Sequence, residues 1–341
     1  MLTNIEPEPI MLTDAPPLPG LCVRGFRGEA DYPAMVAVLN ASKEADQIED
    51  VDTIEEVANT YAHLVNCDPY RDMLFVQMND EVVGYTRVYW QAEDSGALIY
   101  SHVGFLRPEW RGRGIGRAML LANERRLRAI AATHRATSSS QFSVVAMHGE
   151  AAKARLLERA GYAPARYFLE MVRPDLEAIP NCPLPAGLEV RPVRPEHYRA
   201  IWEADVEAFR DHWGYTQRTE ADYQQWLNDG VEFQPEIWKV AWDSRSGQVA
   251  GMVLGFIFEG QNARYQRRRG WTENICVRRP WRRRGLAHAL IAENLRELKA
   301  RGMTEAALGV DAENLSGALR LYQSMGFREV YHNTIYRKPL A

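Results

Sequence analysis

A chain of 341 residues exceeds what one hydrophobic core usually organises, and 46% hydrophobic with 25% charged residues is the make-up of a globular protein, not of a disordered or fibrous one. Lys and Arg number 41 against 45 Asp and Glu, which excludes a domain that tracks phosphate backbones by bulk charge. Cys22, Cys67, Cys182 and Cys276 form no CxxC pair, so neither a disulfide framework nor a zinc site is expected, no metal is required, and a cytoplasmic setting fits.

Along the chain, residues 1–20 carry acids and prolines where a secretory signal needs a basic start and an apolar run, and an extended lead-in is predicted there. The segment "GLCVRGFRGEADY" from Gly20 then reappears as "GLEVRPVRPEHY" from Gly187. "LRPEWRGRGIG" (106–116) likewise reappears as "RRPWRRRGLA" (278–287), and "LLERAGY" (156–162) as "LYQSMGF" (321–327). Three matches in one order predict a duplicated domain. Between the copies, "RPDLEAIPNCPLPAG" (173–187) holds four prolines and reads as a stiff linker, which gives an N-terminal domain over 21–172 and a C-terminal domain over 188–341.

In the second copy, an opening strand at 188–193 leads to helices near 195–211 and 219–229, the latter entered through Thr219 with acids in its first turn. Strands follow at 236–243 and 248–258, joined by the turn "SRSG", and a third at 270–277 completes an antiparallel meander. A helix over about 285–301, a strand at 305–310, a short helix over about 315–325 closed by Gly326, and a last strand at 328–339 end the chain. Each half is therefore predicted as a mixed α/β unit, a mostly antiparallel sheet with flanking helices. The longest apolar run, 249–258, is about ten residues against the ~20 a spanning helix requires, so no membrane is expected.

Arg282-Arg283-Arg284-Gly285-Leu286-Ala287 and Arg111-Gly112-Arg113-Gly114-Ile115-Gly116 share Arg-x-x-Gly-x-Gly/Ala between a strand and a long helix. The letters alone leave a solvated turn, a nucleic-acid grip or a phosphate cradle open. Small residues permit close backbone approach, and the helix's first turn offers free N–H groups at the positive end of its dipole, an anion site suited to a pyrophosphate. The Gly-x-Gly-x-x-Gly and Gly-Lys-Ser/Thr patterns of dinucleotide and nucleoside triphosphate sites are absent.

With this loop and "AENLSGALRLYQSMGF" (312–327), the sequence resembles the GNAT-type N-acetyltransferase superfamily, and its tandem layout is similar to mycothiol synthase-like two-domain acetyltransferases. The resemblance implies acetyl-CoA as cofactor, with Ile275, Cys276 and Val277 beside the pantetheine arm, Arg282 to Ala287 around the pyrophosphate, and Asn314 touching the cofactor. It further implies Tyr322 as the acid that protonates the departing thiolate. An acceptor ammonium must also lose a proton, and Glu273, four residues before Val277, is the candidate base; a surface ion pair with one of Arg267 to Arg269 is the other reading of that carboxylate.

Aligned on the same motifs, the first copy has His102 opposite Glu273 and Leu157 opposite Tyr322. Leucine donates no proton, and a lone strand histidine is more often packed than catalytic, so the N-terminal copy is read as structural or regulatory. For the acceptor, "AFRDHWGYT" (208–216) offers Phe209, Asp211, His212, Trp213 and Tyr215 near a helix end, as a pocket wall or as a cap and core filling. The expected reaction is acetyl transfer to a primary amine of a small molecule by a monomer or homodimer. A non-catalytic CoA-binding regulator is the alternative; a nucleic-acid binder using "RYQRRRG" (264–270) fits the net acidic chain less well, and no nucleic-acid partner is expected.

Overall fold

The computed structural model describes residue 12 and residues 14–134, 140–314 and 317–340. The chain divides into two compact units, Met1–Ala165 with Thr334–Ala341, and Arg166–Asn333.

In the first unit, β1 (Leu21–Arg24) is followed by α1 (Tyr32–Ala45), α2 (Ile54–Ala62) and the short α3 (Pro69–Asp72). Then come β2 (Met73–Met78), β3 (Glu81–Ala92), β4 (Leu98–Leu106), α4 (Ile115–Ala131), β5 (Gln141–Ala146) and α5 (Ala151–Arg159). Strands β1 to β4 form an antiparallel meander, and β5 lies parallel to β4. Every residue of β2 is buried because its two faces serve different layers: Met73 and Phe75 pack with α1 and α2, while Leu74, Val76 and Met78 pack with Ile115 and Met119 of α4. Helix α2 begins at a reciprocal cap in which Thr53 and Glu56 exchange side-chain and backbone hydrogen bonds.

The second unit repeats this order. It opens on β6 (Ala163–Arg173), whose residues from Arg166 onward belong to it, and continues through β7 (Leu188–Val190), α6 (Tyr198–Phe209), α7 (Glu220–Leu227), β8 (Lys239–Asp243), β9 (Val249–Val253) and α8 (Glu259–Arg264). It ends with β10 (Arg269–Trp271), β11 (Cys276–Val277), α9 (Leu286–Ala300), β12 (Glu305–Asp311), α10 (Ala318–Ser324) and the first half of β13 (Arg328–Pro339). The fold is the mixed, mostly antiparallel α/β arrangement read from the sequence. Leu286, Leu290, Ile291, Leu295 and Leu298 of α9 are each 1% exposed or less and contribute ~1.5–3 kcal/mol apiece by leaving water. A Cβ on Gly270 would lie 2.4 Å from Leu298, so glycine is what lets α9 lie close to β10.

Several expectations change. The units do not part at the proline-rich segment: Phe168–Arg173 pair antiparallel with Ala306–Asp311 of β12, and Thr334–Pro339 pair antiparallel with Gln141–Ala146 of β5. Each half of the sequence thus donates its final strand to the other unit's sheet. Residues 174–187 are not a free spacer either; Leu176 is buried in the second unit's core, and the Arg173 guanidinium donates to Asp175 O and Ala178 O, both at 2.8 Å, and to Met325 O. The lead-in is anchored where it is described, with Asp14 paired to Arg125 at 2.5 Å and Leu18 packed beside Ile115. The strand expected at 270–277 is broken into β10 and β11, and that expected at 248–258 ends at Val253, leaving one bridge from Phe256 to Trp271. Helix α8 was not anticipated, and the expected helix start at 315 lies outside the described residues.

Candidate active site

In the second unit, β10 and β12 run parallel through Trp271 and Ala307, with one more bond from Thr272 N–H to Ala307 O (2.8 Å). There the two strands separate. Asn274 takes a left-handed φ of +44°, and the chain turns to pair Cys276 and Val277 with β9. The Glu273 carboxylate spans the opening and accepts the Gly309 N–H at 2.7 Å. Burial, with Glu232 and Glu170 adding to it, pushes this carboxyl up to about 8 against the pull of the Gly309 and Asn274 N–H groups. The surface ion pair with Arg267 to Arg269 is not what forms, since Arg269 binds Glu305 and Glu170 instead.

Tyr322 of α10 is 6% exposed and meets Phe327 edge-on at 6.4 Å. Its hydroxyl has no hydrogen-bond partner among the described residues; burial first, then the charges of Glu273 and Cys276, hold its acidity well below that of an ordinary phenol. The base and acid candidates therefore share one electrostatic neighbourhood. Ile275 and Val277 pack with the α9 cluster, whereas Cys276 faces α6 and its thiol is kept neutral by burial.

The loop before α9 has Arg283 at φ +60° and Gly285 at φ +84°, and a Cβ on Gly285 would meet no atom within 4 Å. The first bond of the helix runs from Ala289 N–H to Gly285 O, so the N–H groups of Leu286, Ala287 and His288 precede the helical ladder and face the loop. Leu286 contributes only backbone, its side chain being buried. The Arg282 side chain has another task. Its Nε donates to Val277 O (2.8 Å) and its guanidinium reaches Asp211 (3.3 Å) and Ala208 O (3.5 Å), bracing the loop to the end of α6. Arg284 donates to Ala186 O at 2.9 Å. Arg283 holds a conformation that costs an L-residue about 1–2 kcal/mol, so Arg283→Gly is expected to gain up to about 1 kcal/mol after its entropy loss, a rise of roughly 2–4 °C in melting temperature.

The first unit repeats the geometry. Strands β4 and β5 pair in parallel only over Ile99–Ser101 and Gln141–Ser143; Gly112 and Gly114 follow at φ +74° and +88°. Arg111 braces its loop as Arg282 does, through Leu106 O (3.2 Å), Asp46 (2.6 and 2.8 Å) and Ser42 Oγ (2.7 Å). Arg113 lies over Trp110 at 4.8 Å, Ile115 is buried, and Pro16 would touch a Cβ on Gly114 at 3.6 Å. A cavity of about 620 Å³ opens here, lined by Gly112, Gly114, Gly116, Arg117, Lys153 and His102 among others. His102 stands where Glu273 does, but it is buried, receives the Asn123 amide on Nδ1 (3.3 Å) and directs Nε2 at the Tyr162 hydroxyl (3.0 Å). Burial, with Lys153 and Lys338, lowers its pKa to about 3, so it stays neutral. Leu157 is buried at the tyrosine's place.

Of the proposed acceptor residues, the Phe209 and His212 rings meet at a tilt with centroids 4.4 Å apart, with His212 held below its ordinary pKa by burial. Arg166 lies over Trp213 at 5.6 Å, and Tyr215 N–H closes a turn on His212 O (3.3 Å). Asp211 is not poised for an amine: it pairs with Arg279 (2.5 Å) and Arg282 as part of the brace. Asn314 sits in the turn after β12, N–H on Asp311 O at 3.1 Å. A residue the sequence reading passed over is Asp205, whose Oδ1 is buried without a hydrogen-bond partner among the described residues; its spacing from Ile201, Ala204 and Ala208 on the inward stripe of α6 was the available signal.

Among the described residues, no group of three or more His, Cys, Asp or Glu is placed to hold a metal, and no helix is long and apolar enough to cross a membrane. Residues 36–161 and 198–327 each match the acetyltransferase (GNAT) family. A mycothiol acetyltransferase of Thermobispora bispora is 27% identical over 314 residues, 90% of this chain and 96% of that protein. Among solved structures, a GCN5-related N-acetyltransferase from Sphaerobacter thermophilus aligns with TM-score 0.67 and 29% identity over 94% of this chain and 96% of its own. A tandem GNAT protein from the clavulanic acid biosynthesis pathway shares the fold at TM-score 0.66 and 14% identity, over 94% and 98% of the two chains. With both copies of the loop matched and the paired units on the same plan, the chain belongs to the acetyltransferase (GNAT) family as a tandem enzyme that resembles mycothiol synthase.

Proposed function

We propose that the second unit transfers an acetyl group from acetyl-CoA to the primary amine of a small molecule in the cytoplasm, while the first unit is a structural or regulatory copy. The observation that carries this is the asymmetry of the two copies: in one, Glu273 lies within electrostatic reach of a Tyr322 hydroxyl that has no hydrogen-bond partner among the described residues; in the other, the matching positions hold a neutral hydrogen-bonded His102 and Leu157. The residues fit the co-substrate. The open space above Gly285, the free N–H groups of the first turn of α9 and the separated strands β10 and β12 suit a pyrophosphate and an extended arm. Acetyl-CoA supplies the activated thioester. Glu273 takes the proton of the acceptor ammonium at its carboxylate, and the Tyr322 hydroxyl delivers one to the leaving sulfur, so that amine and thioester become amide and free thiol. Relatives named mycothiol acetyltransferase favour a small amine acceptor. For the first unit, the cavity of about 620 Å³ beside the intact loop favours a CoA-holding regulatory role over a purely structural one.

Thiol release from acetyl-CoA across a panel of primary amines tests the reading, and no release with any amine defeats it. Because Glu273 must be ionised to act, kcat/KM is expected to climb about tenfold per pH unit below 8 and to level off above it, and Glu273→Gln to lose that limb. The same carboxyl binds its proton more tightly folded than unfolded. Its stabilising effect is therefore complete below about pH 4.5 and lost as pH rises through 8, where Glu273→Gln is expected to melt higher than the parent chain.

A further inference from the structure

Among the described residues, three glycines lie inside strands of the second unit, and two of them have a steric reason. A Cβ on Gly251 of β9 would lie 2.7 Å from Cys276 O, and one on Gly270 of β10 would lie 2.4 Å from Leu298. Gly309 of β12 has no such reason. Its φ is not left-handed, and a Cβ there would meet a single atom within 4 Å, the Glu273 Oε1 at an ordinary contact distance of 3.5 Å. Glycine inside a strand weakens it through lost entropy and lost packing, so one that neither backbone nor neighbours demand is the mark of a place that a ligand approaches closely.

That place lies at the candidate base. Leu308 and Val310 pack into the core with α9, so strand alternation turns Gly309 to the opposite face, where it is the exposed position of β12. The Glu273 carboxylate lies beside it, accepting the Gly309 N–H at 2.7 Å. An amine bonded to this carboxylate stands ~2.7–3.2 Å from the oxygen, and a side chain whose first carbon is 3.5 Å away competes for the same volume. The first unit carries a side chain there. Two residues beyond the last parallel pair of each sheet, Gly309 follows Ala307 in β12 and Val145 follows Ser143 in β5. Val145 is 43% exposed and keeps its place opposite Ile335, so this strand position tolerates a β-branched residue.

We propose that Gly309 is a specificity-determining residue whose missing side chain leaves the volume through which the acceptor reaches Glu273, and that it admits amines carried on a branched carbon, such as the amine of an amino sugar. This rests on the reading of the second unit as the acetyl-transferring one. An unbranched amine presents only hydrogens on the carbon beside its nitrogen, whereas a branched carbon adds a second heavy substituent, about the size of the methyl group that glycine lacks. Glu273 keeps the proton-transfer role. Gly309 sets how bulky the carbon bearing the amine can be.

The test titrates glucosamine, branched at that carbon, and ethanolamine, unbranched, into the full chain saturated with CoA, by calorimetry, where no chemistry is needed. Gly309→Val is expected to weaken glucosamine binding at least about tenfold and ethanolamine binding less, with CoA affinity within about twofold of the parent. Gly309→Ala is expected to give a smaller loss in the same order and to melt no lower than the parent, since its Cβ makes only an ordinary contact. A glucosamine loss under tenfold in Gly309→Val, equal losses for the two amines, no binding of glucosamine to the parent chain, a parallel fall in CoA affinity, or a lower melting temperature in Gly309→Ala overturns the proposal. Thiol release from acetyl-CoA is measured separately. Amine binding that depends on Gly309 without thiol release from the parent defeats the acetyl-transfer reading and leaves the amine site standing. Thiol release with glucosamine at an unchanged KM in Gly309→Val does the reverse.

Discussion

Tyr322→Phe is expected to lower kcat by roughly 10²–10³-fold while leaving acetyl-CoA affinity within about twofold. The phenyl ring keeps its edge-on contact with Phe327, and the hydroxyl it lacks had no partner among the described residues, so the variant should fold as well as the parent. The loss therefore falls on proton delivery to the departing sulfur. Because the Tyr322 proton is held far above its ordinary pKa, activity is expected to show no descending limb up to pH 10. The profile should rise through the Glu273 titration and stay high. Single-turnover kinetics with a competent amine measure the step, and unchanged turnover would remove Tyr322 from the mechanism.

Deleting residues 334–341 is expected to unfold the first unit, although those residues are the last in the chain. They are the antiparallel neighbours of β5 along its whole length. Tyr336 is buried among Phe142, Val144 and Tyr162 and donates to Glu158 at 3.1 Å; Lys338 reaches the buried Glu124 at 2.8 Å, and Arg337 pairs with Glu93. Burying one such aromatic and satisfying one buried carboxylate are each worth about 2–3 kcal/mol, and a domain's whole stability is about 5–15 kcal/mol. The truncated chain should lose a melting transition and aggregate through the uncovered edge of β5. A fragment starting at residue 188 fails for the reciprocal reason, since it lacks Phe168–Arg173, the partner of β12. Calorimetry and light scattering on both truncations decide this. Two soluble, cooperatively melting fragments would mean that the exchanged strands are dispensable.

Much of this protein was readable from short windows of sequence because the causes are local. The glycine loops, the Thr219 cap on α7 and the helix α9 depend on residues within a few positions of one another, and each appears where the spacing puts it. The loop conformation is local enough that Gly112 and Arg283 take the same left-handed turn despite different side chains. What the tertiary structure alone decided is of another kind. Which sheet receives Thr334–Pro339 depends on edges formed far apart in the chain, and no hydrophobic pattern names its partner. Arg282 reads as a phosphate ligand in isolation and acts as a brace because Val277 O and Asp211 are folded beside it. His102 and Glu273 hold equivalent positions, yet burial and neighbours make one a fixed neutral group and raise the other to about 8. Charge state, partner and pairing are set by what surrounds a residue in space, and only folding supplies those surroundings.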